Sequence, residues 1–204
     1  REFSLHPRPA DAAQVVAGAV EALQPAAAEA GLRLVCSAPE PVPATLDPER
    51  LAQMVANLVE NALKYAATTV EVAVEPDPPG VRGAPEEGAG AVLVSVVDDG
   101  PGVDPADLPH VFERLYTSGR HASVGDTPNP RARKVGTGLG LAIVAQLAGA
   151  MGGTATTGRT PEGRTRFTVS VAARPSGWSS SSGAGSSSSS SPSASSSSSR
   201  RTAP

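Results

Sequence analysis

Two asparagines one helical turn apart, Asn57 and Asn61, stand with a lysine three residues on, Lys64, in the run NLVENALKYA. Asparagine is a mediocre helix former, so a pair at i and i+4 requires a reason. Side-chain carbonyl oxygens suit a hard cation such as Mg²⁺, which keeps several waters and bridges phosphates, and Lys64 adds a point of positive charge. A pair of solvated amides satisfies the same pattern. The second group is VVDDGPGVD, Val96 to Asp104, where a β-branched run ends in Asp98 and Asp99 and breaks at Gly100, Pro101 and Gly102. An ionised carboxylate only accepts hydrogen bonds, which matches the exocyclic amine of adenine, and bare glycine backbone lets a flat ligand come close. Strand alternation sends Asp98 and Asp99 to opposite faces, so only one can read such a base. An ordinary turn fits these residues equally well. The third group is RKVGTGLGLAIVAQL, Arg133 to Leu147, with Gly136, Gly138 and Gly140 at alternate positions before an apolar run. Glycine inside a helix costs about 1 kcal/mol relative to alanine, so such a run needs either a structural or a ligand-binding use for bare backbone. Amide hydrogens at a helix start carry about half a positive charge, so Gly136, Thr137, Gly138, Leu139 and Gly140 make a turn that fits a phosphate. Neither GxxxxGK[ST] nor a GxGxxG opening a first βαβ unit is present.

These groups need elements to hold them. Leu46 to Ala66 reads as the best-defined helix, with Asp47 as cap and Pro48 at the first helical position. At about 100° per residue, Leu51, Val55, Leu58 and Ala62 form one stripe, while Asn57, Asn61 and Lys64 lie together beside it, bordering the core. The Asp98 group ends a strand, Ala91 to Asp99, that pairs with Thr68 to Glu75 across a long hairpin loop from Pro76 to Gly90. Helices are predicted for Asp11 to Ala30, capped by Asp11, and for Leu139 to Ala150, with a short helical piece from Leu108 to Tyr116. Strands are predicted at Leu32 to Ala38, near Thr154 to Thr157 and at Thr165 to Ala172, with an extended lead-in around His6. Thr117 to Val135 reads as a loop rich in Gly, Pro and Arg. The pattern implies an α+β, two-layer sandwich, a mixed sheet backed by helices on one face.

Composition narrows the function class. The chain has 204 residues and a net charge of −3, spread without a dominant block, so electrostatics offers no case for nucleic acid or an acidic membrane. A lone cysteine, Cys36, cannot form an internal disulfide and reads as a small apolar residue. No apolar run approaches the ~20 residues of a membrane span. The chain opens at Arg1 without a signal-peptide pattern and is expected to be a fragment of something longer. A domain is expected over residues 1–175, followed by a Ser-rich tail over 176–204 with almost nothing to bury, expected to be disordered.

In this order the motifs closely resemble the ATP-binding catalytic domain of sensor histidine kinases, within the wider family that includes gyrase, Hsp90 and MutL. NLVENALKYA is similar to that family's N box, DDGPGV to its first glycine box, VFERLY to its F box and VGTGLGLAIV to its second glycine box. The resemblance covers about Phe3 to Ala172. It implies the Bergerat fold, with ATP held between helices and a lid. It implies Asn57 and Asn61 as the Mg²⁺ and phosphate asparagines, Lys64 and Tyr65 nearby, and Asp98 as the adenine-reading carboxylate. Gly100 and Gly102 would make room for the base, and Thr165 would help close its pocket. Gly136, Thr137, Gly138, Leu139 and Gly140 would carry the lid's end over the phosphates. Glu60 is sometimes given a base role in relatives, but its angle away from the core stripe favours a solvated glutamate.

The F box departs from the family's pattern, with Leu115 and Thr117 where an aromatic and an arginine are usual. Arg120, Arg131, Arg133 or Lys134 would then supply the lid's phosphate contact, and Arg114 fits a plain surface role as well. His6, His110 and His121 do not stand in the context of a phosphoacceptor, His6 reading as structural. The resemblance therefore implies a cytoplasmic catalytic module whose parent is anchored in a bacterial cell membrane. The γ-phosphoryl group of ATP would pass to a histidine on a homodimeric dimerisation domain outside this chain, and onward to a response regulator. A nucleotide-gated interaction domain that transfers nothing, or a serine kinase or anti-sigma module, remains open.

Overall fold

The computed structural model describes residues 4–38, 40–77, 90–116 and 138–173. The Ser-rich tail, most of the Pro76 to Gly90 loop, and residues 117–137, with Thr117, Arg120, His121, Arg131, Arg133, Lys134, Gly136 and Thr137, lie outside them.

In chain order the described elements are β1 (Arg8–Asp11), α1 (Ala12–Glu29), β2 (Arg33–Ser37), β3 (Pro43–Leu46), α2 (Pro48–Tyr65), β4 (Thr69–Asp77), β5 (Ala91–Asp98), α3 (Gly140–Ala150), β6 (Thr154–Arg159) and β7 (Thr165–Ala172). Five strands form one sheet in the order β2-β4-β5-β7-β6, while β1 and β3 pair as a separate antiparallel ribbon. β2 runs parallel to β4, and the other neighbours in the large sheet are antiparallel. This is the expected two-layer arrangement with a mixed sheet.

Alternation fixes which face is covered. Val70, Val72 and Val74 on β4, Val92, Val94 and Val96 on β5, and Phe167, Val169 and Val171 on β7 are buried in one cluster with Val16 and Val20 of α1, Leu51, Val55 and Leu58 of α2, and Val144 and Leu147 of α3. Each such side chain contributes about 1.5–3 kcal/mol when fully buried. Across the sheet, α1 lies over β2 and β4, α2 over β4 and β5, and α3 over β6 and β7. Cys36 is half-buried against this cluster, and burial raises its thiol pKa.

Two aspartates begin the long helices. Asp11 caps α1 by accepting from the Ala13 amide and also accepts from the Val42 amide, which ties the ribbon to the helix. Asp47 is buried and caps α2 through Oδ1, accepting from the Glu49 and Arg50 amides at 3.0 Å each, while its Oδ2 accepts from the His6 amide at 2.8 Å. α1 continues through Pro25.

The structure differs from the sequence expectation in several places: β3 is not among the expected strands, and β4 and β6 run on to Asp77 and Arg159. Leu46 belongs to β3 instead of starting α2, because its backbone pairs with Arg8. Leu139 caps α3, whose first residue is Gly140. Leu108 to Tyr116 is a chain of turns and not a helix: the His110 and Glu113 amides donate to Asp107 and His110, three residues back. Leu115, at φ +62°, breaks any helical ladder there.

Candidate functional site

The helix α2 carries Asn57, Asn61 and Lys64 half-buried along one side, next to the buried stripe Leu51, Val55, Leu58 and Ala62. Asn57 Nδ2 donates to the Gln53 carbonyl at 2.9 Å, one turn back. That engages the donor end of the amide and leaves Oδ1 turned toward the start of α3, where a β-carbon on Gly140 would lie 3.2 Å from it. Gly140 therefore gives clearance to Asn57. Glu60 is exposed, pointing away from the buried stripe. Tyr65 ends the helix with 36% of its surface exposed, and its backbone carbonyl closes against Gly100.

Asp98 and Asp99 separate as alternation requires. Asp98, the last residue of β5, is 3% exposed and lies on the helix-bearing face, paired with Val70 on one side and Thr165 on the other. Its Oδ1 accepts from the Gly100 amide at 2.9 Å. Burial raises the pKa of this carboxyl; the Gly100 amide, the neighbouring Thr165 hydroxyl and Arg164 oppose the rise, and Asp99 adds to it. Thr165 lies close enough to influence that charge, yet its buried Oγ1 completes no hydrogen bond by distance and angle. An unmatched buried hydroxyl beside a carboxylate can take a polar ligand edge.

Asp99 does structural work instead. Its carboxylate accepts from the Ala67, Thr68 and Thr69 amides and from the Thr68 hydroxyl, pinning the α2–β4 connection to the end of β5. Desolvation, the largest single influence, pushes the pKa up, but these hydrogen bonds together outweigh it, the Thr68 hydroxyl foremost among them, and the pKa falls to about 2.

The turn after Asp98 is held from both sides. Gly102 has φ +89°, and the Arg159 guanidinium lies where its β-carbon would be. The F-box segment is anchored by Phe112, which meets Phe167 edge-on with ring centroids 6.2 Å apart. Arg114 reaches α3, donating to the Gln146 amide oxygen at 3.1 Å. The Tyr116 hydroxyl bonds the Asp107 carboxylate, which raises its pKa to about 12. Leu115, with φ +62°, donates its amide to the Gly138 carbonyl at 2.9 Å. Gly138 itself has φ +67°, and a β-carbon there would stand 2.7 Å from the Leu115 carbonyl carbon. Its bareness thus answers to the approach of the F-box backbone as well as to any anion. Leu139 is exposed.

The fold sets Asn57, Asn61 and Lys64 along one side of α2, with Gly140 of α3 against Asn57, and Asp98, Thr165, Gly100 and Gly102 around the end of β5. Oxygen donors from neutral amides, paired with a bare helix start, fit a hard divalent cation carrying phosphate oxygens. Sequence reasoning missed Arg159: an exposed arginine at a strand end carries no spacing signal.

Residues 46–175 match the family described as histidine kinase-, DNA gyrase B-, and HSP90-like ATPases. Over 135 residues the chain is 37% identical to the signal transduction histidine-protein kinase AfsQ2 of Streptomyces coelicolor, covering 66% of this chain and 22% of that protein. It is 38% identical over 130 residues to the sensor protein RstB of Escherichia coli, covering 62% of this chain and 25% of that one. The chain thus spans a quarter or less of the length of these curated relatives. Among solved structures, full-length ShkA in complex with AMPPNP is similar with a TM-score of 0.64 and 27% identity, over 84% of this chain and 32% of that one.

Proposed function

Because the chain belongs to the histidine kinase-, DNA gyrase B- and HSP90-like ATPase family, we propose that it is the ATP-binding catalytic domain of a two-component sensor histidine kinase. The observation that carries this reading is the buried Asp98 carboxylate, aligned with Thr165 at the edge of a glycine turn. As an acceptor only, it takes the exocyclic amine of adenine, with Thr165 beside it and Gly100 and Gly102 leaving the ring room.

Asn57 and Asn61 would hold Mg²⁺ through their amide oxygens; the ion, when bound, neutralises charge on the phosphate oxygens. Asn57 is already oriented for this by its bond to Gln53. Lys64 would add positive charge from the same side, Tyr65 would flank the base end, and the amides of the glycine run, of which Gly136 and Thr137 lie outside the described residues, would meet the phosphates. Glu60, exposed, is the weakest member of the catalytic set.

The reaction follows from this placement. The bond from the γ-phosphorus to its bridging oxygen breaks, a phosphorus–nitrogen bond forms to an imidazole, and ADP leaves. A neutral histidine is already a nucleophile, so the chain need supply orientation and charge more than a base. That histidine belongs to a dimerisation domain of the parent, which would act as a homodimer and pass phosphate to a response regulator. That parent would be anchored in a bacterial cell membrane, with this domain as its cytoplasmic module. No helix among the described residues is long and apolar enough to cross a membrane. Residues 1–175 would form the ATPase unit and 176–204 a tail outside it.

Calorimetry with AMPPNP and Mg²⁺ tests the site. The unmodified chain should release or take up heat on binding and Asp98→Ala should not; silence from the first, or unchanged binding by the second, overturns the reading. Adding a histidine-bearing dimerisation domain and labelled ATP should place label on that histidine, whereas the chain alone should label itself poorly.

A further inference from the structure

Asp98 on β5, Thr165 on β7 and Arg159 on β6 stand in one row across the sheet, through the pairs Asp98↔Thr165 and Thr165↔Arg159. Residues directly opposite one another on adjacent strands project to the same face. Arg159 therefore leaves the sheet on the same side as the buried carboxylate, two strands away, or about 10 Å.

Its guanidinium is engaged at both ends. Nη1 donates to the Gly163 carbonyl in the β6–β7 hairpin at 3.0 Å, and Nη2 reaches the Pro101 carbonyl at 3.5 Å. Between them the group lies against Gly102: a β-carbon there would collide with Nη2 and sit 2.7 Å from Cζ and 3.0 Å from Nη1. One planar cation thus joins the hairpin to the glycine turn. The turn's other holds lie at its start, where the Gly100 amide bonds Asp98 and the Tyr65 carbonyl abuts Gly100, while Pro101 offers no amide hydrogen.

We propose that Arg159 is a positioning residue for the purine site: by bridging Pro101 and Gly163 over Gly102, it fixes the turn at the height where the base meets Asp98. The inference rests on Asp98 reading the base. Its consequence is selectivity. Adenine presents an amine to the carboxylate, whereas hypoxanthine presents a carbonyl oxygen that the carboxylate repels. That discrimination needs the ring in register, so freeing the turn should erode the preference as well as the affinity.

The test uses the full chain with Arg159→Ala and Arg159→Lys, titrated calorimetrically with ADP and with IDP in Mg²⁺, alongside melting curves of the free proteins. Arg159→Ala should weaken ADP binding about fivefold to tenfold, the worth of one or two hydrogen bonds. Its preference for ADP over IDP should shrink by a similar factor, with the melting temperature little changed. Lysine keeps the charge but cannot fork to both carbonyls, so Arg159→Lys should recover less than half of the loss. The proposal is overturned if Arg159→Ala keeps both affinity and preference within twofold. It is equally overturned if both nucleotides weaken together with the preference intact, or if lysine restores both in full. Failure of the unmodified chain to bind ADP would instead refute the reading of Asp98, and this inference with it.

Discussion

The carbonyl oxygen of Tyr65 stands where any β-carbon on Gly100 would have to go, so the end of α2 is closed directly onto the turn after Asp98. The two halves of the candidate site, amides on the helix and carboxylate on the strand, are joined at this contact.

Gly100→Ala should therefore damage both. Backbone cannot swing aside as a flexible side chain can, and the expected loss of stability is about 1–3 kcal/mol. Urea unfolding measures it, and nucleotide titration of the remaining folded protein should show weakened binding. An alanine variant with wild-type stability would mean that the α2 end moves freely against the turn.

Asp98→Asn should separate stability from function. Burial raises this carboxyl in the folded chain, so the folded state takes up a proton before the unfolded one. Stability from this group is then present at low pH and declines as pH rises through the folded value. Asparagine removes that decline. At neutral pH the variant should melt higher than the parent, its pH dependence in the mildly acid range should flatten, and nucleotide binding should be lost. A lower melting temperature at pH 7 would contradict this account of the burial.

Asp99→Asn should behave oppositely. With the folded pKa held near 2 against an ordinary 3.8, the group's contribution is present above 3.8 and disappears as pH falls through this window. Allowing for the solvent that reaches this carboxylate, the neutral-pH loss should be about 1 kcal/mol. Acid titration of the melting temperature checks it, the variant showing a shallower fall between pH 4 and pH 2.

Asn57→Ala should spare the fold and remove the metal's influence. The lost bond to Gln53 is internal to the helix and alanine is the better helix former, so stability should change by only a few tenths of a kcal/mol. ADP affinity measured with Mg²⁺ and with EDTA should differ by about tenfold less than in the parent. An unchanged Mg²⁺ effect would remove Asn57 from the metal site.

Much of this was legible beforehand because local chemistry and global packing agree. Asp47 and Pro48 announce α2, Thr165 and Ala172 bound β7 as alternation suggests, and Asp98 and Asp99 divide between two faces as the strand period demands. What escaped depends on partners far along the chain. β3 is a short strand beginning at a proline, set by its pairing with Arg8 to Asp11 and by the bond from the Thr45 amide to the Ala173 carbonyl. The turns from Leu108 to Tyr116 mimic a helical apolar spacing, but their amides bond three residues back and Leu115 turns to φ +62°. Gly138 looked like a seat for an anion, and the sequence could not show that Leu115 presses against it.

Asp47 gives its two oxygens to different clients, one to the first turn of the asparagine-bearing helix and one to the amide of His6 in the approaching chain. Neither can let go without leaving half of a buried charge bare. The incoming chain and the start of that helix should thus open and close as one cooperative unit, and a tug on the former would arrive at the latter through a single carboxylate.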